Sequence, residues 1–292
     1  MLNFQNIELS DKPLFDSYFL KENFYISDYC FANVYIWRNV YDTQFACEGG
    51  FLFIKFKDES GDSFLPPIGE GDYKAALERL CKYSNSSGQK LWLGLIPPKY
   101  KDLIEKSMPG RFNISESRDS ANYIYSAEKL MYLKGKKLHA KRNHINKFML
   151  THNDWCYEEL DDNNTRDFFD YHLDWCADDP EEFLGETCAV SVALKNRAAL
   201  DIKGGLLRLD GKIIAVTLGT ETFPDTFTVH IEKADPNIQG AYQMINQQFA
   251  LHNFEKYTYI NREEDLGLEG LRKAKMSYFP EFLSENYMAV LK

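Results

Sequence analysis

Residues 227–233, with the sequence FTVHIEK, contain two side chains that could accept a proton. Apolar and polar residues alternate here, which predicts a strand with His230 and Glu232 on one face. Either side chain could take a proton from an attacking amine, and histidine ordinarily titrates close to neutral pH. Tyr278 is a third candidate, as proton donor to a leaving group. The alternatives are a solvated strand face for the first two residues and simple packing for the tyrosine.

A basic segment spans residues 129–147, where seven Lys and Arg residues occur without an acidic one. A helix that begins near residue 137 would place three of its polar side chains on one face by their three- and four-residue spacing. Such a face could bind phosphates, dock against an acidic surface of the same chain, or simply face solvent. The candidate phosphate-binding residues are Lys137, Lys141, Arg142 and His144. The apolar side of the same helix would be formed by Leu138, Ile145 and Phe148.

A second charged segment, residues 257–280, predicts a strand, a charged turn and a helix. Arg262 or Arg272 could bind a phosphate or carboxylate, with an acid such as Asp265 orienting the guanidinium. The alternative is a buried ion pair that fixes the helix to the sheet.

A third segment, 158–182, contains eleven Asp and Glu and one Arg. This composition is typical of a solvated helix face, or of an acidic mouth that attracts a cationic, amine-bearing acceptor.

Several chemistries lack their sequence signals. The chain has no Walker A loop, no H-E-x-x-H and no G-x-S-x-G motif, which disfavours NTPase, metalloprotease and hydrolase functions. The six histidines show no zinc-like spacing with one another, so we expect no metal site. The six cysteines are far apart and include no C-x-x-C pair, so we expect reduced, mostly buried thiols.

The elements that must position these residues follow a similar order in both halves of the chain: hairpin, glycine-containing loop, helix, strand, helix. Two further helices, near 165–177 and 186–200, precede the second hairpin, and a strand at 287–291 is expected to complete the second half. The first of these helices would bury Phe169, Leu173 and Cys176. This order predicts an α+β protein, and it resembles the fold of Gcn5-related N-acetyltransferases (GNAT) present twice.

Length and charge predict two domains. The chain has 292 residues and a net charge of −10, and residues 1–150 carry 21 Lys and Arg against 18 Asp and Glu, whereas 151–292 carry 13 against 26. We therefore expect an N-terminal, non-catalytic domain at 1–150 and a C-terminal domain with the donor site at 151–292. The acidic balance disfavours broad nucleic-acid or anionic-membrane binding. With no long apolar run and no leader, we expect a cytoplasmic protein without integral membrane contact.

Two of these segments carry a family resemblance. LKGKKLHAKRNHINKF (133–148) and INREEDLGLEGLRKAKMSYFP (260–280) resemble signatures of soluble proteins related to the C-terminal domain of phosphatidylglycerol lysyltransferase. That family has a tandem GNAT-like fold akin to the Fem-type peptidyltransferases. The resemblance covers nearly the whole chain and implies acyl or aminoacyl transfer. It does not imply the lipid substrate, because this chain shows no membrane-spanning segment.

The resemblance also implies a donor site. GNAT enzymes hold the pyrophosphate of coenzyme A on N–H groups at a helix N-terminus, where the helix dipole favours an anion. In the equivalent loop, Gly240 fits the usual Arg/Gln-x-x-Gly-x-Gly/Ala pattern, whereas Asn237 and Tyr242 depart from it. The alternative is a loop that only caps the helix. The donor-binding residues implied in this way are Val216, Leu218, Ile231, Asn237, Gln239, Gly240, Ala241 and, for the pantetheine arm, Asn261.

The corresponding loop of the first half, residues 66–71, keeps a Gly-x-Gly spacing but is flanked by acids. Glu70 and Asp72 would repel a phosphate, so we interpret this loop as a structural turn. Our leading hypothesis is therefore an acyl- or aminoacyltransferase whose single donor site lies in the second half. The donor would be a coenzyme A thioester or an aminoacyl-tRNA, and the acceptor a small amine or hydroxyl compound. A small donor is favoured, since tRNA recognition needs a broader positive surface.

The rival hypothesis is a degenerate, non-enzymatic GNAT-like module that binds a metabolite or a protein partner; the oligomeric state is left open. Two structural predictions follow from the leading hypothesis. Gly240→Glu should abolish donor binding without unfolding the protein, because its carboxylate would repel pyrophosphate. Lys137, Lys141 or Arg142 should lie across one cleft from Arg262 and Asp265, forming a shared anionic site; the alternative is that each segment closes its own domain.

Overall fold

The computed structural model describes residues 2–58, 61–177 and 180–292, with only the backbone described at 180–184. The chain forms two compact units: residues up to Asn122 together with Ser284–Lys292, and Tyr123–Leu283. The division differs from the one expected at residue 150. Residues 123–126 form a strand of the second unit's sheet, so the basic segment folds with the second unit. The change in net charge reflects surface composition, which does not report the packing boundary.

The first 122 residues contain seven strands and four helices within their described part. In chain order they are β1 (Gln5–Asn6), α1 (Lys12–Phe19), α2 (Phe31–Trp37), β2 (Gln44–Glu48), β3 (Phe51–Asp58), β4 (Gly61–Phe64), β5 (Ile68–Gly69), α3 (Tyr73–Ser86), β6 (Trp92–Ile96), α4 (Pro98–Ser107) and β7 (Phe112–Glu116). The predicted β2–β3 hairpin is present, and Gly49 and Gly50 take φ values of 63° and 85° at its turn. Such positive φ angles are accessible mainly to glycine.

The remaining elements follow in chain order. They are β8 (Tyr123–Ser126), α5 (Ala127–Tyr132), α6 (His139–Thr151), β9 (Trp155–Glu159), α7 (Thr165–Cys176), α8 (Pro180–Lys195), β10 (Lys203–Leu209), β11 (Lys212–Phe223), β12 (Thr226–Ala234), α9 (Ala241–Asn253), β13 (Tyr259–Asn261), α10 (Glu269–Met276), β14 (Phe282–Leu283) and β15 (Tyr287–Leu291). Among the described residues, every helix is too short or too polar to cross a bilayer.

The sheet of the first unit has the strand order β1-β2-β3-β4-β6-β15-β7, with β5 also paired to β3. Strands β4 and β6 are parallel, through Phe64 and Leu93. The expectation that residues 287–291 complete the second half is wrong, because β15 lies antiparallel between β6 and β7. A strand pattern encodes which faces are apolar, and it does not encode which sheet the strand joins.

The sheet of the second unit has the order β14-β8-β13-β12-β11-β10-β9. The predicted hairpin β10–β11 turns at Asp210 and Gly211, both with positive φ. Strands β12 and β13 are parallel, as expected for a strand–helix–strand unit that is connected through α9. The helix α9 buries Met244, Ile245 and Phe249 against this sheet.

Helix α6 packs into the same core, and its predicted apolar side is confirmed: Leu138, Ile145 and Phe148 are all buried. The prediction for α7 is confirmed for Cys176 and is one position off for its other two residues. The structure fully buries Phe168, His172 and Cys176, while Phe169 and Leu173 are half-buried. Helix α8 begins at Pro180, earlier than the expected residue 186. Apolar periodicity located both helices, but it could not reveal that a histidine occupies the buried stripe.

Candidate functional site

The candidate site lies where β12 and β13 separate, a place we call the fork. The two strands pair only over three residues, which end at Thr228 and Asn261. Beyond them β12 continues to Ala234, whereas β13 ends and the chain turns away. A register shift on the β11 side sets Leu218 opposite Ile231 and Gly219 opposite Val229, so His230 is the extra residue of a bulge.

The turn that follows β13 is held by buried polar groups. Asn261, itself 1% exposed, accepts the backbone N–H of Glu263 at 2.7 Å through its side-chain carbonyl oxygen, and Glu263 has a φ of 55°. The Lys275 ammonium donates to the carbonyls of Arg262, at 2.6 Å, and of Glu264. Burial lowers the pKa of Lys275 to about 8. These contacts fix the backbone from which the Arg262 side chain projects into the fork.

Arg262 and Glu232 form an ion pair across the fork. Arg262 Nη2 donates to Glu232 Oε1 at 2.8 Å, and Asn246 Nδ2 of α9 donates to Glu232 Oε2 at 2.9 Å. The two charged side chains are only 13% and 9% exposed. Burial alone would lower the pKa of Arg262, but Glu232, Tyr125 and Tyr278 together outweigh it, so the pKa is raised. Arg262 Nη1 and Asn246 Oδ1 are buried and have no hydrogen-bond partner among the described residues.

A second cation reaches the fork from the basic segment. Lys141 Nζ lies 4.1 Å from the centroid of the Tyr278 ring, and Arg262 Cζ lies 4.9 Å from the same centroid. The described part of the chain places no carboxylate within ion-pair distance of Lys141. Burial, aided by the charge of Arg262 and partly compensated by Glu232, lowers the pKa of Lys141 to about 8. Burial also raises the pKa of Tyr278 well above that of free tyrosine.

His230 is held in place at both ring nitrogens. Nδ1 lies 2.8 Å from Glu263 Oε1, and Nε2 lies 2.8 Å from the Thr220 hydroxyl oxygen. Its side chain is only 1% exposed. The two residues predicted as bases therefore contact consecutive residues of the turn after β13, with His230 on Glu263 and Glu232 on Arg262.

The two charged segments thus converge, but only through part of the predicted set. Lys141 and Arg262 share the Tyr278 ring. Lys137 lies 5.5 Å from the centroid of Phe279, and Arg142 donates to the backbone carbonyls of Leu133 and Gly135. Of the three basic residues predicted to lie across the cleft, Lys141 is the one that shares a ring with Arg262, and Arg142 instead closes the turn before α6.

Asp265 and Arg272 lie in a separate ion pair. Arg272 donates to both oxygens of Asp265 at 2.8 Å, and the Tyr123 hydroxyl donates to Asp265 Oδ2 at 2.5 Å. Asp265 is fully buried. The expectation that it frames the anion site together with Lys141 is wrong, because its carboxylate is enclosed and binds α10 to β8. This corresponds to the alternative interpretation of a structural ion pair.

The loop before α9 differs from a phosphate-binding loop. Asp235 Oδ1 accepts both the backbone N–H and the side-chain amide of Asn237, so a carboxylate already occupies the loop. Gly240, with φ of 94°, approaches α6 so closely that an added Cβ would lie 2.7 Å from the His144 carbonyl oxygen. The expectation that Gly240→Glu leaves the fold intact is therefore wrong. Gln239 is exposed, and Ala241 is buried at the first turn of α9.

Val216 and Leu218 do not offer backbone groups to a donor. Both lie in β11, which is paired on one side with β10 and on the other with β12. In such a central strand the ladder hydrogen bonds use the backbone groups on both edges. Ile231 differs, because it belongs to the part of β12 that lies beyond the pairing with β13. Asn261 supports the Glu263 turn, as described above.

The sequence reasoning missed Asn246 and Lys275. Asn246 is only 2% exposed on the buried face of α9, between Ile245 and Phe249. A polar residue in an apolar helix stripe needs a partner, and this was the signal that could have found it.

The predicted acidic mouth at 158–182 falls partly outside the described residues. Within them, Glu158 and Asp167 both pair with Arg208.

Taken together, the fork presents two cations on one aromatic ring, and the buried Nη1 donor of Arg262 has no partner in the part of the chain that the structure describes. Such a group of donors can bind a phosphate or carboxylate, or stabilise the oxyanion that develops at a carbonyl under attack. The Glu232 carboxylate has both oxygens engaged and acts on this geometry as the counter-ion of Arg262.

Comparison with known proteins identifies relatives over the whole chain. Residues 21–290 match the family described as phosphatidylglycerol lysyltransferase, C-terminal. The crystal structure of a conserved protein of unknown function from Bacteroides thetaiotaomicron is similar at 41% identity, with a TM-score of 0.93 over 100% of both chains. An uncharacterized protein of Mycoplasmoides gallisepticum is 28% identical over 181 residues, which are 58% of this chain and 56% of that protein. The match thus spans little more than half of that relative.

More distant structures show the fold. The C-terminal domain of a putative lysylphosphatidylglycerol synthetase from Agrobacterium fabrum is 13% identical, with a TM-score of 0.66 over 98% of this chain and 92% of that one. A tandem GNAT protein from the clavulanic acid biosynthesis pathway is 7% identical, with a TM-score of 0.55 over 99% and 98% of the two chains. The predicted α+β fold with two GNAT-like units is confirmed.

Proposed function

Because the chain belongs to the family of the phosphatidylglycerol lysyltransferase C-terminal domain, we propose that it is an acyl- or aminoacyltransferase whose fork binds an activated acyl donor. Relatedness to transferase families supports acyl transfer at a coarse level. The finer assignment rests on one observation, which is the convergence of Lys141 and Arg262 on the ring of Tyr278.

The charges of the fork suit a donor that carries phosphate. Arg262 is held by Glu232 and by the turn after β13, and its Nη1 has no partner among the described residues. Lys141 adds a second cation without a carboxylate of its own within the described part. A phosphate or a developing oxyanion would supply the missing acceptor to both groups. Desolvation in a site of this kind strengthens such a charge-assisted contact relative to water.

The reaction we propose is a single acyl transfer. The nitrogen or oxygen of the acceptor attacks the donor carbonyl carbon and forms the new C–N or C–O bond. The C–S bond of a thioester, or the C–O bond of an aminoacyl ester, breaks. The proton of the acceptor ends on the leaving sulfur or oxygen. Catalysis would come mainly from positioning, with the donor phosphate held by Arg262 and Lys141. Glu232 would act as a positioning residue for Arg262.

Two donor classes combine an activated acyl group with phosphates, namely coenzyme A thioesters and aminoacyl-tRNAs. Asp235 places a negative charge in the loop before α9, so the proposal assigns the donor phosphate to Lys141 and Arg262. The acceptor would be a small amine or hydroxyl compound. The proposal includes a cytoplasmic location, where both donor classes are synthesised.

A ligand screen tests this function. Thermal unfolding should shift upward with coenzyme A or acetyl-coenzyme A at millimolar concentration, because a ligand that binds only the folded state stabilises it. Alternatively, the protein should retard the migration of lysyl-tRNA in a gel at low salt. Lys141→Met should abolish the positive result, whereas the exposed Lys147→Met should not.

The rival function is a non-enzymatic binding module, and the carboxylate in the loop before α9 is the observation that favours it. If neither donor class binds, the transferase proposal is contradicted and the binding module becomes the better account. Binding that persists in Lys141→Met would place the donor away from the fork.

A further inference from the structure

A second group of reactive side chains lies between helices α7 and α8, away from the fork. His172 is fully buried and Cys176 is 3% exposed, one helical turn apart on α7, and the Glu186 side chain of α8 is 12% exposed. Cys176 Sγ lies 3.5 Å from His172 Nε2 and 3.7 Å from Glu186 Oε1. His172 Nε2 lies 3.7 Å from the same carboxylate oxygen. The three ligand atoms therefore form a nearly equilateral triangle.

These distances are close to one face of a metal-centred tetrahedron, in which the nitrogen–oxygen separation of 3.7 Å is about 0.4 Å longer than ideal. With metal bonds of about 2.0 Å to nitrogen or oxygen and about 2.3 Å to sulfur, neighbouring ligand atoms are separated by about 3.3 to 3.7 Å. Imidazole, thiolate and carboxylate together are a ligand set that zinc accepts.

The geometry differs from that of a catalytic relay. In a Cys-His-Glu relay the thiol and the carboxylate would contact opposite ring nitrogens of the histidine. Here both contact Nε2, while Nδ1 is buried without a partner among the described residues. Three ligand atoms that converge on one point favour coordination over proton transfer.

A cation also contacts this group of side chains. Lys233 Nζ of β12 lies 3.1 Å from Glu186 Oε1 and 4.1 Å from the centroid of the Trp175 ring. Burial, aided by the charge of Lys233, lowers the pKa of His172 to about 4. The imidazole is therefore neutral near pH 7, the form that binds metals. Lys233 is the cation with which a metal ion would compete for the carboxylate.

We propose that His172, Cys176 and Glu186 bind one zinc-class divalent cation, which fastens α7 to α8. On binding, the thiol proton of Cys176 passes to solvent as the sulfur–metal bond forms. The three ligands lie on the two helices that precede the β10–β11 hairpin, so the ion would join these helices, with a water as its fourth ligand. It does not depend on the proposed acyl transfer.

Cobalt substitution tests the site. The full-length protein, stripped with a chelator and titrated with Co²⁺, should bind one equivalent and show thiolate-to-cobalt charge-transfer absorption in the near ultraviolet. Cys176→Ser should abolish that absorption and weaken binding by at least about 100-fold, since even second-shell changes cost 10- to 100-fold. Cys188→Ser, which changes a half-buried thiol of α8 outside the triangle, should leave both unchanged.

Glu186→Gln is the second variant, because its partly exposed side chain makes misfolding a smaller concern. It should weaken Co²⁺ binding while circular dichroism stays that of the wild type. Lys233→Met should tighten binding, since it removes the competing cation. The proposal is overturned if the folded wild type shows no charge-transfer absorption with Co²⁺, or if the absorption survives in Cys176→Ser.

Discussion

Each unit of the molecule contains a parallel pair of strands, and the residues that follow the two pairs are of opposite character. After β4 and β6 of the first unit the side chains are aromatic: Tyr73 of α3 stacks on Tyr100 of α4 at 5.9 Å, and the Tyr29 hydroxyl donates to the Leu95 carbonyl. After β12 and β13 of the second unit they are charged, with Arg262 paired to Glu232. Aromatic rings cover the end of the β4–β6 pair, whereas a buried ion pair lies at the end of the β12–β13 pair.

The difference matters because a buried ion pair is a poor way to stabilise a fold. The cost of removing two charges from water often exceeds their mutual attraction, and apolar replacements are frequently as stable or more stable. The first unit shows that aromatic packing suffices at this position of a GNAT-like sheet. The charges of the fork therefore indicate a requirement other than stability, which the proposed donor binding supplies.

The largest effect is expected when the ion pair is broken on one side. Arg262→Met leaves the Glu232 carboxylate buried without its counter-ion, so we expect the free energy of unfolding to fall by about 3 to 5 kcal/mol. Arg262→Met combined with Glu232→Gln should recover most of this loss, because the amide keeps the contact with Asn246 and carries no charge. Urea denaturation of both variants measures the difference. An equal loss in the single and double variants would contradict the assignment of the penalty to a buried charge.

The loop before α9 gives the next largest effect. Gly240→Ala combines a positive φ with a Cβ that meets the backbone of α6, so it should lower the free energy of unfolding by about 2 to 4 kcal/mol. Gly211→Ala is the matched control, because its φ is 75° but no atom lies within 4 Å of the added Cβ. It should cost only about 1 kcal/mol. If the two variants are equally destabilised, the close approach of Gly240 to α6 is not what the position requires.

The smallest effects are expected in the aromatic group of the first unit. The Tyr73 hydroxyl is buried and has no partner among the described residues, so Tyr73→Phe should leave stability unchanged or raise it by up to about 1 kcal/mol. Tyr29→Phe removes the hydrogen bond to Leu95 and should cost about 1 kcal/mol. The thermal unfolding temperatures of the two variants measure both effects. A destabilised Tyr73→Phe would show that this region carries polar contacts like those of the fork.

The fold was largely predictable from sequence, because amphipathic periods and turn residues act locally. The β10–β11 turn at Asp210 and Gly211, the apolar side of α6 and the tandem order of elements all follow from such signals. The sheet joined by β15 was not predictable. Its alternating pattern fits either sheet, and the choice depends on contacts with β6 and β7, which are distant in sequence.

The site was predictable in part. Charge spacing singled out Lys141 and Arg262, and the structure brings them to one ring, but the same spacing also singled out Arg142 and Asp265, which serve local turns and helix attachment. Spacing shows which side chains share a face and does not show which neighbour they meet. Spacing among the histidines alone does not reveal that His172 and Cys176 lie one turn apart on the buried side of α7.

If Lys141 binds the donor anion together with Arg262, as we propose, binding must depend on the charge of Lys141 and therefore on pH. Because the pKa of Lys141 is lowered to about 8, its ammonium is present below that pH and is lost above it. Acetyl-coenzyme A, by calorimetry, or lysyl-tRNA, by filter binding, should therefore bind the wild type about tenfold more weakly at pH 9 than at pH 7. The guanidinium of Lys141→Arg stays charged over this pH range, so the affinity of this variant should stay nearly constant. Lys275 titrates in the same range and is present in both proteins, so the comparison separates its effect from that of Lys141. An affinity that falls equally in the wild type and in Lys141→Arg would contradict the claim.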